Sequence, residues 1–271
     1  MTFKDILYTV DGPLGVITLN RPEFRNAQSY RMLDEIDAAF ALAEKDKSVR
    51  VIVVRGSGGN FSSGHDLGTP DALAYAAALG AAPGIETYDQ FKKYNLDLLV
   101  RWRNCPKPTI AMVEGYCIYA GWMLAACCDI VFAAEDASFL PGFVEYMSIP
   151  WDIGIKRAKE IVFESRFVSA EEAREFGFVN RVLASADLER ETMAYARPAL
   201  LEDPDEQGAG CARFYAGAGR LVRRLRGDER HARRGDASRR SAAACDGRSR
   251  GEGQARGAVR VEEGVSNEFA S

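Results

Sequence analysis

The sequence has few of the residues from which a metal centre, a redox pair or a disulfide framework is built. Two histidines and six cysteines occur in 271 residues. The cysteines form no CxxC pair and show no metal-ligand spacing with the histidines. The pattern also differs from that of a small disulfide-stapled domain. We therefore expect buried thiols in a reducing cytosol and no bound metal.

An excess of basic charge and a long apolar segment are missing as well. The formal net charge is -4 and the pI is about 5.5, whereas binding to nucleic acid or anionic lipid needs surplus Lys and Arg on one face. Residues 1–5 carry no basic start of a secretion signal. The longest apolar stretch, residues 115–128, is shorter than the roughly 20 residues that span a bilayer. These absences favour a cytoplasmic protein with a small-molecule substrate and no nucleic-acid or membrane partner.

Strand-like and helix-like segments alternate along the first two thirds of the chain. Two apolar runs flank the turn sequence Asp11-Gly12-Pro13, which predicts a hairpin. Apolar residues at helical spacing follow Ser29 as far as Lys47, which predicts an amphipathic helix with Ser29 as its N-cap. Runs typical of strands buried on both faces stand at residues 51–54, 109–113 and 130–133. The repeated order of strand, glycine-containing loop and helix predicts an α/β fold.

The composition changes beyond Pro198. Residues 211–260 contain 14 arginines, no lysine and no isoleucine, and apolar periodicity is lost. Acidic residues are interleaved with the arginines, so a continuous basic patch is not expected. We predict a core at residues 1–198 and a poorly ordered tail at residues 199–271, or the translation of a shifted reading frame. A nucleic-acid-binding tail is the alternative.

Two loops have the composition of an anion-binding site. Residues 55–67 follow a buried strand and are rich in residues that tolerate positive φ. Residues 114–121 connect a buried strand to a helix, whose first N–H groups and dipole favour negative charge. Neither loop contains GxGxxG or the Lys-Ser/Thr of a P-loop. Two convergent backbone donors of this kind can stabilise the oxyanion of a thioester.

Four motifs in order and spacing resemble the enoyl-CoA hydratase/isomerase, or crotonase, family. They are Asn20-Arg21-Pro22 with Asn26-Ala27, Phe61 through Leu67, Gly115-Tyr116 with Cys128-Asp129-Ile130, and Ser169 through Ala173 with Gly177 through Asn180. The resemblance covers residues 1 to about 197. It implies an α/β spiral of ββα units, here with an atypical C-terminal region, that assembles as a homotrimer or hexamer. It also implies an acyl-CoA thioester as partner, with coenzyme A present as part of the substrate and no permanently bound cofactor.

The resemblance also assigns site residues. The backbone N–H groups of His65 and Ala120 would be the oxyanion donors. Arg25 is a candidate phosphate contact, and Asp66 is in addition a candidate structural anchor of its loop. The residues expected to line the coenzyme A or the acyl group are Phe24, Arg25, Ala27, Ser63, Gly64, Asp66, Leu67, Tyr119, Met123 and Phe143.

The sequence departs from the family at the acid-base positions. Hydratases of the family use two glutamates to add water, and these positions fall on Met123 and Phe143, which cannot transfer protons. Glu145 and Asp152 are the replacement candidates, because Glu145 lies on the same face as Phe143 in an extended segment. We expect an acyl-CoA-transforming enzyme. The alternatives are a hydrolase or C–C bond lyase acting on a cyclic or β-keto acyl-CoA, and a non-catalytic acyl-CoA-binding member.

Overall fold

The computed structural model describes residues 2–80, 84–142 and 149–197. In chain order the strands and helices are β1 (Ile6–Asp11), β2 (Leu14–Leu19), α1 (Tyr30–Lys45), β3 (Val51–Gly56), α2 (Pro70–Leu79), α3 (Ile85–Lys92), α4 (Leu98–Arg103), β4 (Thr109–Val113), β5 (Tyr116–Ile118), α5 (Ala120–Cys127), β6 (Ile130–Ala134), β7 (Ser138–Leu140), α6 (Ile149–Ile153), α7 (Ile155–Glu164), β8 (Val168–Ser169), α8 (Ala170–Glu175), β9 (Arg181–Leu183) and α9 (Leu188–Ala196). A 3-10 turn, Pro22–Phe24, follows β2, and a π-helical turn, Lys93–Asp97, joins α3 to α4. The predicted tail at residues 199–271 lies outside the described residues.

The first two strands form the hairpin that the sequence predicts. β1 and β2 pair antiparallel along their whole length, and Gly12 takes a φ of +57° in the turn between them, which glycine adopts without the steric penalty of a Cβ. α1 also starts where its N-cap was expected, because Ser29 Oγ accepts a hydrogen bond from Met32 N at 3.1 Å.

Within the described residues, six strands form one sheet in the order β1-β2-β3-β4-β6-β9. From β2 onwards every neighbouring pair in this sheet is parallel. Strands β5, β7 and β8 form a second, smaller sheet. Parallel strands are joined by crossovers that place helices on the sheet, so both faces of the large sheet become buried. The predicted α/β class is confirmed.

Two apolar clusters lie on opposite faces of the large sheet. Ile52 and Val54 belong to the cluster that includes residues of α1, α4 and α5, whereas Val51 and Val53 belong to the cluster that includes residues of α9. Successive side chains of a strand point to opposite faces, which produces this division. The largest fully buried side chains of the first cluster include Trp102, Trp122 and Phe61. Burial on both faces explains why β3 is apolar at consecutive positions.

The two candidate loops leave the sheet at one edge. β3 and β4 are parallel neighbours, with Arg55 opposite Met112 near their C-terminal ends. Residues 57–67 follow β3, and residues 114–119, which include the short strand β5, follow β4. The edge formed by the C-terminal strand ends is where open α/β sheets bind ligands. The topology therefore brings together two loops that are about 50 residues apart in sequence.

Lys107 closes the C-terminal end of α1. Its ammonium group donates to the carbonyl oxygens of Ala43 at 2.5 Å, Asp46 at 2.6 Å and Val49 at 2.7 Å. Partial burial lowers the pKa of Lys107, while the Asp46 carboxylate opposes that shift. One side chain thus satisfies one carbonyl in the last turn of α1, where helical bonds run out, and two carbonyls that follow the helix.

We predict that Lys107→Met lowers the free energy of unfolding by about 2 kcal/mol, because it keeps the apolar stem but removes the donor for three carbonyls. Urea denaturation measures the change. Lys47→Met removes an exposed lysine nearby and should change stability by less than about 0.5 kcal/mol. Equal losses in the two variants would contradict the role given to Lys107.

Candidate active site

The two loops contact each other through backbone atoms. Ser62 N donates to Tyr116 O at 2.8 Å, and Ile118 N donates to Ser62 O at 2.9 Å. Gly121 lies so close to this strand pair that a Cβ on it would stand 2.6 Å from Ser62 O. A Cβ atom cannot lie that close to a carbonyl oxygen. Glycine is therefore required where α5 passes the first loop.

Gly64 makes the second close approach. Its φ is +94°, and a Cβ on it would lie 3.0 Å from Ile118 O and 3.1 Å from Tyr119 Cβ. Gly64 directly precedes His65, and Tyr119 directly precedes Ala120. The contact therefore brings the two predicted donor residues onto adjoining segments.

The backbone direction at His65 follows from its neighbours. Gln28 N donates to Gly64 O at 2.7 Å, and Asp66 N donates to Gln28 O at 2.9 Å. Successive peptide groups of an extended chain alternate in direction. The N–H of His65 consequently points away from Gln28.

The second predicted donor begins a helix. Ala120 is the first residue of α5, so the helix itself provides no acceptor for its N–H, and the helix dipole adds positive potential there. Tyr119, the N-cap, has a φ of +50° and a ψ of -115°, a conformation that costs a non-glycine residue about 1–3 kcal/mol. Its N–H donates to Leu140 O at 2.8 Å. The strained dihedral angles at Tyr119 set the direction of the Ala120 N–H.

A buried ion pair anchors the end of the first loop. Arg21 Nη1 lies 2.7 Å from Asp66 Oδ2, and the two side chains are 5% and 2% exposed. Arg21 also donates to Ala27 O and to Thr69 Oγ1. Asp66 accepts bonds from the N–H groups of Gly68 and Thr69 and from the Thr69 hydroxyl. The Asp66 side chain is engaged within the loop, as the anchor interpretation predicted.

The pKa of Asp66 is lowered by the balance of these contacts. Burial by itself would raise the pKa, but the hydrogen bonds from Thr69, Arg21 and Gly68 together outweigh it. The ionised form is thereby favoured in the folded protein.

The segment after Arg21 forms one wall beside the loops. Asn26 fixes this segment to the first loop, because its side chain accepts a hydrogen bond from Arg21 N and donates to Ser57 O and Asn60 O. Phe24 and Arg25 are exposed, and the Arg25 guanidinium carbon lies 5.6 Å from the centre of the Tyr116 ring. An exposed cation and apolar side chains therefore border the loop pair.

Most predicted lining residues lie on these elements. Ser63 N donates to Arg25 O at 2.9 Å, and Ala27 is half-buried beneath them. Leu67 and Tyr119 are 89% and 42% exposed, whereas Met123, one turn into α5, is 3% exposed. The structure thus brings together Phe24, Arg25, Ala27, Ser63, Gly64, His65, Asp66, Leu67, Tyr119, Ala120 and Met123. Phe143 and Glu145 lie outside the described residues.

Asp152 occupies a different place. Arg103 Nη2 lies 2.6 Å from Asp152 Oδ1, and Arg103 Nη1 donates to Ala126 O. Ala126 is six residues beyond Ala120 on α5, which corresponds to about 9 Å along the helix axis. Asp152 lines a cavity of about 190 Å³ together with Arg103, Cys127 and Asn180. The structure therefore places Asp152 near the C-terminal end of α5, whereas the predicted donor is at the N-terminal end.

Asn95 is a contact of the loop pair that no sequence pattern indicates. Its Oδ1 lies 2.9 Å from His65 Nε2. The two residues are 30 positions apart, and Asn95 falls in a segment whose periodicity predicts one continuous helix from residue 88 to residue 103. A half-buried Asn inside such a helix carries no recognisable motif.

Four free cysteines lie at buried or half-buried positions among the described residues. Cys105, Cys117 and Cys127 are buried and Cys128 is half-buried, and burial raises the pKa of Cys105 and Cys127 to about 12. Cys211 and Cys245 lie outside the described residues. In residues 2–80, 84–142 and 149–197, no group of three or more His, Cys, Asp or Glu side chains is placed to hold a metal ion. None of the helices in these ranges is both long and apolar enough to cross a bilayer.

The chain is similar to known proteins over this region. Residues 10–207 match the family model described as "Enoyl-CoA hydratase/isomerase". The chain is 38% identical over 207 residues to EchA13 of Mycobacterium tuberculosis, an enoyl-CoA hydratase by name, a match that covers 69% of this chain and 65% of that protein. It is 32% identical over 205 residues to echA8 of Mycobacterium bovis, also named an enoyl-CoA hydratase, with 72% and 75% covered. The chain thus spans slightly less than two thirds of the length of EchA13.

Solved structures show the same similarity. The protein in one crystal structure, named an enoyl-CoA hydratase and from Mycobacterium smegmatis, is 35% identical to this chain. The TM-score is 0.72, and the match covers 82% of this chain and 88% of that one. An enoyl-CoA hydratase/isomerase from Xanthobacter autotrophicus Py2 is 37% identical, with a TM-score of 0.71 and coverage of 82% and 83%. These neighbours confirm the crotonase-like fold that the four motifs predicted.

We predict that Asp66→Asn lowers the free energy of unfolding near pH 7 by about 3 kcal/mol, because it removes the carboxylate 2.7 Å from the buried Arg21 guanidinium and leaves Arg21 only the Asp5 carboxylate at 4.0 Å. The pKa of Asp66 is lower in the folded protein than in the unfolded chain, so Asp66 stabilises the wild type at pH values above its unfolded pKa. This contribution to stability is lost as the pH falls through the folded pKa. The difference between the two proteins should therefore shrink below about pH 4.

Denaturation curves at several pH values measure that difference. Glu23→Gln, which neutralises an exposed carboxylate on the adjacent 3-10 turn, controls for the change in net charge. A stability difference between wild type and Asp66→Asn that is independent of pH would contradict the assignment.

Proposed function

The chain belongs to the enoyl-CoA hydratase/isomerase family, and from this premise we propose that it is an enzyme that polarises the carbonyl of an acyl-CoA thioester with the backbone N–H groups of His65 and Ala120. The close approach of Gly64 to Tyr119 carries the proposal, because it joins the two donor segments. The approach of Gly121 to Ser62 supports it from the other side of the loop.

The two donors fit the chemistry of a thioester. Negative charge develops on the carbonyl oxygen whether a proton leaves the α-carbon, a nucleophile adds to the β-carbon or a nucleophile attacks the carbonyl itself. Preorganised N–H donors stabilise that charge without any proton transfer. The helix dipole of α5 adds to the effect at Ala120. The proposed oxyanion hole therefore serves several reactions.

We further propose that the wall beside the loops receives the coenzyme A. Arg25 offers an exposed guanidinium to a phosphate, and guanidinium groups bind phosphate in a bidentate geometry. Phe24 and Leu67 offer exposed apolar surface nearby for the less polar part of the cofactor moiety. Assembly as a homotrimer or hexamer and a cytoplasmic location stay predictions from the resemblance.

The proton-transfer step depends on residues other than the two donors. Met123 is buried one turn after Ala120, and its thioether cannot exchange a proton, so we assign it to the wall of the acyl pocket. Glu145 is retained as the proposed acid-base group on its spacing from Phe143. The ion pair of Asp152 with Arg103 and its position near the far end of α5 favour a structural role for that aspartate.

The buried Met123 also favours a second candidate function. A hydrolase or C–C bond lyase acting on a cyclic or β-keto acyl-CoA uses the same oxyanion hole and needs no carboxylate at this position. Mass spectrometry of products from a panel of enoyl-CoA and β-keto acyl-CoA esters distinguishes the candidates. A water adduct identifies the hydratase, and a cleaved product identifies the hydrolase or lyase. Acyl-CoA binding without turnover identifies the non-catalytic alternative, and absence of binding by calorimetry rejects all three.

A proline at residue 120 tests the donor directly. Proline is tolerated at the first position of a helix, where its ring fixes φ and a ring carbon replaces the hydrogen of the N–H. The backbone conformation of a residue before proline is restricted because its Cβ clashes with the proline ring. The substitution is therefore made in a Tyr119→Gly background, which has no Cβ at residue 119. We predict that Tyr119→Gly/Ala120→Pro lowers kcat about 100-fold relative to Tyr119→Gly alone.

The matched Tyr119→Gly protein controls for the loss of the tyrosine side chain. Urea denaturation should give the two variants unfolding free energies within about 1 kcal/mol of each other. Equal kcat values in two equally stable variants would contradict a role for the Ala120 N–H.

A further inference from the structure

The turn between α3 and α4 departs from α-helical geometry. Residues Lys93–Asp97 form a π-helical turn, and Leu98 N donates to Lys93 O, five residues earlier. Such turns are rare and occur frequently at functional sites. The extra residue changes the direction in which successive side chains leave the helix. Tyr94 and Asn95 consequently serve two different neighbours.

Tyr94 fixes the turn to α1. Its side chain is buried, and its ring stacks on Tyr30 with 4.2 Å between the centroids. Tyr94 Oη donates to Asp34 Oδ2 at 2.8 Å, and Lys93 Nζ lies 2.7 Å from Asp34 Oδ1. Burial and the bond to Asp34 raise the pKa of Tyr94. The π-helical turn is therefore attached to a helix of the core.

Asn95 contacts the first loop of the site. Asn95 Nδ2 donates to Phe91 O at 2.9 Å, so the amide oxygen is the atom that faces His65 Nε2. A carbonyl oxygen can only accept a hydrogen bond. His65 Nε2 must therefore carry a proton.

We propose that Asn95 is a positioning residue of the oxyanion hole, which holds the His65 side chain by its Nε2–H and thereby fixes the residue whose backbone N–H is a donor. The kinetic consequence of this inference rests on the proposed function. The Gln28 bridge and the Arg21–Asp66 pair hold the loop from the side of the N-terminal segment. Asn95 holds it from α3 and α4, so rotation of the peptide before His65 is opposed from two directions. Small misplacements of donors reduce rates even when substrate binding is kept.

The hydrogen bond can be observed without any substrate. The sequence contains two histidines, His65 and His231, so protein labelled with 15N-histidine gives few ring signals, and His231→Ala assigns them. We expect a one-bond correlation between Nε2 of His65 and its proton in the wild type, because a hydrogen-bonded proton exchanges slowly with water. The correlation should disappear in Asn95→Leu and persist in Asn95→Asp, which keeps an acceptor opposite Nε2.

The kinetic test uses the same variants and whichever thioester the panel identifies. We expect Asn95→Leu to lower kcat about threefold to tenfold while KM changes less than about twofold, as the loss of one neutral hydrogen bond implies. Asn95→Asp should recover most of the loss. Asp97→Asn breaks an exposed ion pair between the π-helical turn and Lys92 of α3 and should leave kcat unchanged.

Each outcome decides on the inference. A wild-type spectrum without the Nε2 correlation, or a correlation that survives in Asn95→Leu, overturns it. So does a kcat in Asn95→Leu equal to that of the wild type. If the wild type turns over no thioester, the proposed function fails, while the spectra still show whether Asn95 holds His65.

Discussion

The buried pair of Arg21 and Asp66 is the interaction on which the candidate site depends. Removing two charges from water is costly, and such a pair is favourable only when its remaining donors and acceptors are satisfied. Here Arg21 also bonds Ala27 O and Thr69 Oγ1, and Asp66 accepts from two N–H groups and a hydroxyl. The pair joins the segment after β2 to the loop after β3. It thereby holds the chain directly after His65, while the bond from Gln28 N to Gly64 O holds the chain before it.

Strain in the second loop is maintained by the packing of the helix that follows it. Tyr119 stands in a left-handed conformation that a non-glycine residue does not adopt by preference. All eight residues of α5 are buried, so relaxing Tyr119 would move a helix that is enclosed on every side. Close-packed interiors resist such shifts. The direction of the Ala120 N–H is thus stabilised by apolar contacts that take no part in the chemistry.

Polarising a thioester, as proposed for the two backbone donors, and transforming it place separate requirements on the site. The first depends on backbone N–H groups, which every residue type except proline supplies at positions 65 and 120. The second depends on proton-transfer groups, and the resemblance implies that Met123 takes one of the positions where the family places a carboxylate. The same polarised carbonyl can lead to addition, cleavage or hydrolysis.

The sequence by itself determined the elements whose signals are local. Turn chemistry at Gly12, the cap at Ser29 and the apolar run of β3 depend on neighbouring residues, and the two glycine-containing loops could be recognised in the same way. The motifs also named His65 and Ala120 as donors and Asp66 as an anchor. Local patterns carry such information because caps, turns and alternation are decided within a few residues.

Only the tertiary structure decided which distant side chains meet. Asn95 reaches His65 because one extra residue in a π-helical turn redirects it, and helical periodicity does not encode that insertion. The sequence makes Asp152 a candidate for proton transfer, and the packing of α4 and α6 against α5 places Arg103, 49 residues away in sequence, beside it. Contacts of this kind depend on how whole helices pack against one another. No window of the sequence contains both partners, so their chemistry becomes visible only when the chain is folded.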